Sequence, residues 1–359
     1  MAEKYMKTIK LTADGDTYHP LPLIGSGDGK VWTKQNTTPF NSICSNDDII
    51  VLGGQSTGLW YIENGTIIQS NKTSGKFNAI YYANGIWVAG DITTNTGLCY
   101  STDGKTWTKS NITSGKIYSV YYANGLWVAS SQSNSGLYYS TDGKTWTQSN
   151  ITSGVFKSVN YANGLWVVGS NSGLYYSTDG KNWAQSNQTS AEFYTAHYAN
   201  GLWVAGTSSD GLYYSTDGKT WTQSNITGGA FILVYYANGL WVAGDYGNGL
   251  RYSTDGKTWT QSNVTSSNHN SPSGKNIYFN NGTWVAGSTT TAYYSNDGKT
   301  WMQSNLSDWV NEVLFTDNKW IIAGDSGLYY SESFEGNILQ VINGEWAMTA
   351  VTNAEEVEY

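Results

Sequence analysis

Between residues 26 and 331 the chain runs in short apolar stretches of β period, each cut by Gly, Asn or Asp, and helical periodicity never competes. The stretch Asn78 to Gly90, NAIYYANGIWVAG, places β-branched and aromatic residues on both sides of Asn84-Gly85, the strongest two-residue hairpin signal. GLCYS at 97–101 and KTWTKS at 105–110 then flank a second turn carrying Asp103-Gly104. Each such unit predicts four short antiparallel strands. The unit repeats. GLYYSTDGKTWTQSN returns almost letter for letter, with its tryptophan at Trp107, Trp146, Trp183, Trp221, Trp259 and Trp301, in steps of 39, 37, 38, 38 and 42 residues. YANGLWVAG is interleaved with it and sets Trp87, Trp127, Trp166, Trp203, Trp241, Trp284 and Trp320 in one slot.

A four-stranded unit of about 40 residues stacked on copies of itself is the signature of a propeller blade. The expected fold class is all-β, a β-propeller of four-stranded blades. The second-strand slot holds Ile50 and then the seven tryptophans ending at Trp320, which counts eight blades; seven is the alternative if the Ile50/Ile67 copy is not a full blade. The order is offset. SGDGKVWTKQN at 26–36 is a lone fourth strand, and its three partners stand at the other end, in 311–331. The ring is therefore expected to close by pairing N- and C-terminal strands in one blade, which removes exposed edges. Residues 1–25 and 336–359 fall outside the repeat as extensions, with the propeller over 26–335.

The element Ser-x-Asp-Gly-Lys-x-Trp resembles the Asp-box, or BNR repeat, of sialidase-like propellers, although it lacks one residue between Asp and Trp and so makes a tighter turn. The resemblance covers most of 26–331. It implies that Asp28, Asp103, Asp142, Asp179, Asp217, Asp255 and Asp297 are structural, each accepting backbone N–H bonds in its turn while the Trp packs between sheets. It does not imply sialidase chemistry. A sialidase of that family grips its substrate carboxylate with three arginines, because a planar fork matches a carboxylate bidentately, and this chain has only Arg251.

Charge and composition narrow the function further. A net charge of -8 and one arginine argue against nucleic acid, whose phosphates need clustered cations. No apolar run approaches the roughly 20 residues of a membrane helix, so no membrane insertion is expected. Cys44 and Cys99 make no disulfide framework. His19, His197 and His269 lack metal-like spacing, and no phosphate-binding glycine motif stands in a strand-to-helix context, so no metal, no cofactor and no catalytic residue is expected. Fourteen of the 17 Trp sit in the two repeat slots, so the aromatic excess reports blade packing.

Comparison among the internal copies locates the variation. The Asn-Gly and Asp-Gly-Lys turns barely change. The connections between second and third strands, such as 91–96, 130–135, 207–210 and 245–248, and those between blades, such as 264–276, differ in length and letters. In an up-and-down blade both variable sets share one face. The first strand also starts at that face and differs between copies, with Asn78, Tyr118, Lys157, Tyr194, Ile232, Lys275 and Asn311 in turn. Function on a scaffold lives on such positions. The candidate ligand-binding residues are Tyr118, Lys157, Tyr194, Asp245, Tyr246 and Trp309, with Trp309 expected to be the exposed aromatic. The segment 336–350 resembles short connecting segments of bacteriophage tail and virion proteins, and the start of the chain is similar. That resemblance implies a phage structural or receptor-binding component whose propeller contacts the host surface. With sialidase chemistry set aside and aromatic and amide side chains suited to a glycan on the variable face, the expectation is a non-enzymatic adhesion propeller that binds a host-surface glycan or protein receptor, with other virion or tail proteins as further partners. The alternatives are a structural scaffold propeller and, more remotely, a carbohydrate-active enzyme. The start has no signal-peptide apolar region, which is expected of a virion protein and equally of a cytoplasmic one.

Overall fold

Asn84 and Gly85 lie at φ of 50° and 74°, the left-handed region that a two-residue type I′ hairpin requires at both central positions. Asn tolerates that region and Gly enters it without steric cost. The same pair closes the first hairpin at Asn124, Asn163, Asn200, Asn238 and Asn281, while Asp317 and Asn318 do so at φ of 50° and 57° in the last copy. The first copy departs from this pattern: the Asn46 side chain accepts from the backbone N–H groups of Asp48 and Ile49 at 3.3 and 3.0 Å.

The computed structural model describes residues 29–331 apart from 47, 94–95, 133–134 and 270–274, together with the backbone of two short strand pairs, Thr12–Ala13 with Asp16–Thr17 and Asn337–Ile342 with Glu345–Ala350. Within 29–331 eight four-stranded antiparallel sheets form the ring of a β-propeller, with no helix among the described residues. Blades one to seven span 40–69, 77–109, 117–148, 156–185, 193–223, 231–261 and 277–303. The eighth joins Val310–Thr316, Lys319–Gly324 and Leu328–Ser331 to Thr33–Lys34, pairing Thr33 with Tyr330 and Lys34 with Tyr329. The ring thus closes as the offset of the repeat predicts. The Ile50/Ile67 copy is a full blade, so the count is eight.

The turns between third and fourth strands repeat one geometry. Asp103 accepts from the backbone N–H of Lys105 and Thr106 at 2.8 and 2.7 Å, the Ser101 hydroxyl accepts from Gly104 N–H at 2.9 Å, and the Trp107 indole donates to Gly104 C=O at 3.1 Å. Asp142, Asp179, Asp217, Asp255 and Asp297 make the same bonds. Asp28 lies outside the described residues. Slight burial opposes ionisation of these carboxyls, but the converging N–H groups outweigh it and hold them below the ordinary aspartate range.

Packing between blades rests on two devices. The second-strand tryptophans are fully buried, each against a tyrosine or phenylalanine of its own blade (Tyr82 and Trp87, 4.7 Å between ring centroids; Phe279 and Trp284, 5.0 Å), and Trp127, Trp166, Trp241, Trp284 and Trp320 also meet a ring of the preceding blade (Tyr81 and Trp127, 6.1 Å). In seven blades the asparagine that ends the fourth strand clamps the next blade through both ends of its amide, whereas Asn36 of the eighth accepts from Leu328 N–H within its own blade. Asn150 donates to Trp183 C=O at 3.0 Å and accepts from Trp183 N–H at 2.8 Å. Asn71, Asn111, Asn187, Asn225, Asn263 and Asn305 repeat the clamp on Trp107, Trp146, Trp221, Trp259, Trp301 and Trp32.

Candidate functional site

The inner strand of each blade opens with a buried apolar residue paired to the end of the second strand, and then the register slips. Phe77 pairs with Asp91 and Ala79 with Gly90, so Asn78 has no opposite residue. This is a β-bulge, which bends a strand and re-aims a side chain. The same slip isolates Asn41, Tyr118, Lys157, Tyr194, Ile232 and Asn311. Lys275 occupies the equivalent place two residues before Ile277. The variable first-strand positions of the sequence are therefore bulge residues in every blade but the seventh, where Lys275 holds the equivalent place, and they ring the axis at one end.

That end carries the variable connections. In every blade but the seventh the residue after the second strand donates its backbone N–H to the residue before the inner strand, as in Ile92 to Lys76, Ser208 to Glu192 and Tyr246 to Ala230, at 2.8 to 2.9 Å. The two variable sets are thereby tied together on one face.

Beneath this face lies a central cavity of about 400 Å³, lined by inner-strand residues of all eight blades. Tyr118, Lys157 and Tyr194 stand together at its mouth. The Lys157 ammonium sits 3.6 Å from the centroid of the Tyr194 ring, a cation–π contact, and pairs with Glu192. Burial disfavours the Lys157 charge, but Glu192 and Tyr194 outweigh it and hold the ammonium above the ordinary lysine range. Burial, with Tyr194 and Glu192 nearby, pushes the Tyr118 hydroxyl up against the opposing pull of Lys157, so it stays protonated. Across the cavity Lys275 reaches Glu312 at 3.5 Å, and the other oxygen of Glu312 accepts from Ile43 N–H at 3.0 Å, joining the seventh, eighth and first blades. Lys275 keeps 52% of its side-chain surface open although protein surrounds it, because it faces the cavity.

On the side of blades eight, one and two the bulge residues are buried amides. Asn41 donates to Asn78 at 2.8 Å, and Asn311 donates to Phe40 C=O and to Asp325 at 2.9 and 2.8 Å. Deeper in the cavity Tyr81, Tyr121, Asn160, His197, Tyr235 and Tyr278 present polar tips. Burial pushes His197 down to about 4 and, with Tyr278 nearby, Tyr235 up to about 12, so both are neutral near pH 7.

Tyr246 lies beside this mouth rather than in it. It is 53% exposed and, with Ser208, Ala230, Tyr194 and Ile232, lines a cleft of about 270 Å³ between the fifth and sixth blades. Its neighbour Asp245 is turned inward. Asp245 is 1% exposed, its carboxylate takes a bond from the Asn248 side chain at 3.0 Å, and burial raises its pKa against that bond. Asp91 fills the same slot, accepting from Lys76 and Thr93 N–H at 3.2 and 2.7 Å, so this aspartate secures the connection between blades. Trp309 is half-buried and lines neither cavity, and the exposed aromatic is Tyr246 instead.

Sequence reasoning passed over Glu192 and Glu312. A signal was available, because only Glu63, Glu192 and Glu312 fall within 29–331, and all three pair with lysines. Among the described residues no group of three or more His, Cys, Asp or Glu is placed to hold a metal ion.

No family model matches the sequence, and no curated protein matches it. Solved structures match in fold. YCF48 bound to D1 peptide is 14% identical with a TM-score of 0.53, over 86% of this chain and 98% of that one. Sqt1 of Saccharomyces cerevisiae is 11% identical with a TM-score of 0.64, over 86% and 99%. BamB from Moraxella catarrhalis is 8% identical with a TM-score of 0.60, over 84% and 97%. At these identities the likeness is one of fold, the β-propeller.

Proposed function

We propose that this propeller is a non-enzymatic binding module that takes its ligand at the mouth of the central cavity, on the variable face. One observation carries the reading: in nearly identical repeats, the bulge residues of the inner strands differ from blade to blade, and Tyr118, Lys157, Tyr194 and Ile232 converge on one mouth. A structural ring would have no reason to differ there. Glu312 lines the cavity and Glu192 flanks it, and each is engaged by a lysine, which favours a binding role for them over the acid and base roles of glycoside hydrolysis. Kinship with Asp-box propellers is supported by the Ser-x-Asp-Gly-Lys-x-Trp turns and their hydrogen bonds, and the absent arginines make that kinship one of scaffold. The terminal segments support a place in a bacteriophage tail or virion, where the variable face would meet a host-surface glycan or protein receptor.

A second reading, a scaffold that holds partner proteins, is favoured by the likeness to YCF48, a propeller solved with a bound peptide. The deciding experiment measures saturable binding of labelled protein to host cells and to a glycan panel, with Tyr194→Asn for comparison. Binding that Tyr194→Asn abolishes supports the receptor reading. No binding to cells or glycans, together with retention of virion proteins, replaces it with the scaffold.

A further inference from the structure

The two cavities of the variable face are not separate. Tyr194 and Ile232 line both, so the central mouth runs into the cleft between the fifth and sixth blades. We propose that they form two consecutive subsites for an uncharged oligosaccharide, one sugar unit seated in the mouth against Tyr118 and Tyr194 and the next in the cleft against Tyr246. This rests on the binding-module reading above and names the chemistry of the ligand.

Three observations lead there. The first is charge balance. Each lysine facing the mouth has a glutamate partner, Lys157 with Glu192 and Lys275 with Glu312, and the second oxygen of Glu312 is taken by a backbone N–H. A ligand carrying net charge would shed its water and meet no uncompensated opposite charge, which costs more than it returns. The second is the character of the deeper wall, where uncharged tyrosine, asparagine and histidine side chains stand among apolar ones such as Val120, Val159, Val234 and Leu314. Such a wall matches a ligand that carries both hydroxyl groups and apolar C–H faces. The third is the aromatic surface. The Lys157 ammonium covers one face of Tyr194, and the exposed Tyr246 stands beside Ile232 in the cleft, offering an apolar surface to the C–H face of a sugar ring. The amides of blades eight, one and two are buried, and the Nδ2 groups of Asn41 and Asn311 are spent on Asn78, on Phe40 C=O and on Asp325, which leaves the sector of blades three to six, with Tyr118 and Tyr194, to face the ligand.

The test is calorimetric titration with neutral mono-, di- and trisaccharides ending in glucose, galactose, mannose or N-acetylglucosamine, alongside sialylated and uronic acid counterparts. At least one neutral series should bind, its disaccharide tenfold or more tighter than its monosaccharide and tenfold or more tighter than its acidic analogue. Tyr246→Ala should bring disaccharide affinity down to the level of the monosaccharide, and Tyr194→Ala should remove both. Met302→Ala, an exposed residue on the outer strand of the seventh blade, serves as the control without effect. Preference for the acidic sugar, a chain-length gain that survives Tyr246→Ala, or no sugar binding at all overturns the proposal. Cell binding that depends on Tyr194 but competes only with peptide also overturns it, and leaves the binding-module reading standing.

Discussion

Asn150 offers the cleanest test of how the blades hold together. Replacing it with Ala removes both bonds to the Trp183 backbone, at 3.0 and 2.8 Å, without touching the core. A net hydrogen bond contributes about 1 kcal/mol, and a buried group left unsatisfied costs about 1–3 kcal/mol. The site is partly open to water, so the loss should fall near the lower bound, about 2–4 kcal/mol for the pair. With an unfolding entropy of about 2 cal/mol/K per residue over roughly 300 residues, each kcal/mol moves Tm by about 1.5 °C. Asn150→Ala should therefore lower Tm by about 3–6 °C and shift the urea midpoint at constant m-value. Asn150→Asp keeps the acceptor for Trp183 N–H, loses the donor to Trp183 C=O, and should fall between Ala and the native residue at pH 7. Thr152→Ala leaves the clamp intact and should be neutral. If both Asn150 variants lie within about 0.5 kcal/mol of the native protein, the amide clamp is not what joins these blades.

The same clamps bear on processing. All seven asparagines open N-x-Ser/Thr sequences, so expression through a glycosylating secretory pathway should yield misfolded chains, and removing the Thr or Ser of each sequon should restore folding, read by secretion yield and circular dichroism. His197 and His269, both pushed to about 4 by burial, bind protons only after unfolding, so their contribution is complete above about pH 6.5 and lost as pH falls towards 4. His197→Tyr, the residue of the equivalent slot in other blades, should flatten that part of a stability-against-pH curve. The turn aspartates, held below their ordinary range, add a further loss as pH drops below about 4, and Asp179→Asn should reduce it. Cys99, buried and pushed up to about 11 chiefly by that burial, should resist a thiol reagent at pH 7 to 8 until the protein unfolds, and its prompt labelling in the native ring would contradict its placement.

The blades were legible because their turns depend on local chemistry: Asn-Gly and Asp-Gly demand one backbone conformation wherever they stand. Ring closure was legible from the displaced Trp32 strand for the same reason. The site was legible only in part. Tyr118, Lys157 and Tyr194 showed themselves as variable letters, but their convergence depends on a bulge, which arises from the register of Phe156 against Ser170 and Phe193 against Thr207 and not from any one segment. Membership of a variable loop suggested exposure for Asp245 and Tyr246 alike. Pairing of Phe231 with Asp245 places the aspartate under the loop and leaves Tyr246 outside it. Trp309 shows the same limit, since the connection that carries it folds back through its C=O bond to Asp325 N–H. Glu192 and Glu312 lie far apart from their lysines in sequence, and only the ring brings each pair together.

The central claim is that the bulge residues at the mouth select the ligand. Asn occupies that position in three blades, so Tyr118→Asn with Tyr194→Asn transplants a side chain the fold already accepts there. The decisive measurement is saturation binding of this double variant beside the native protein, to whichever cells or glycan the native protein binds, with matched circular dichroism and melting curves. Loss of binding in an intact ring is the result expected; full binding by the intact variant would contradict the account.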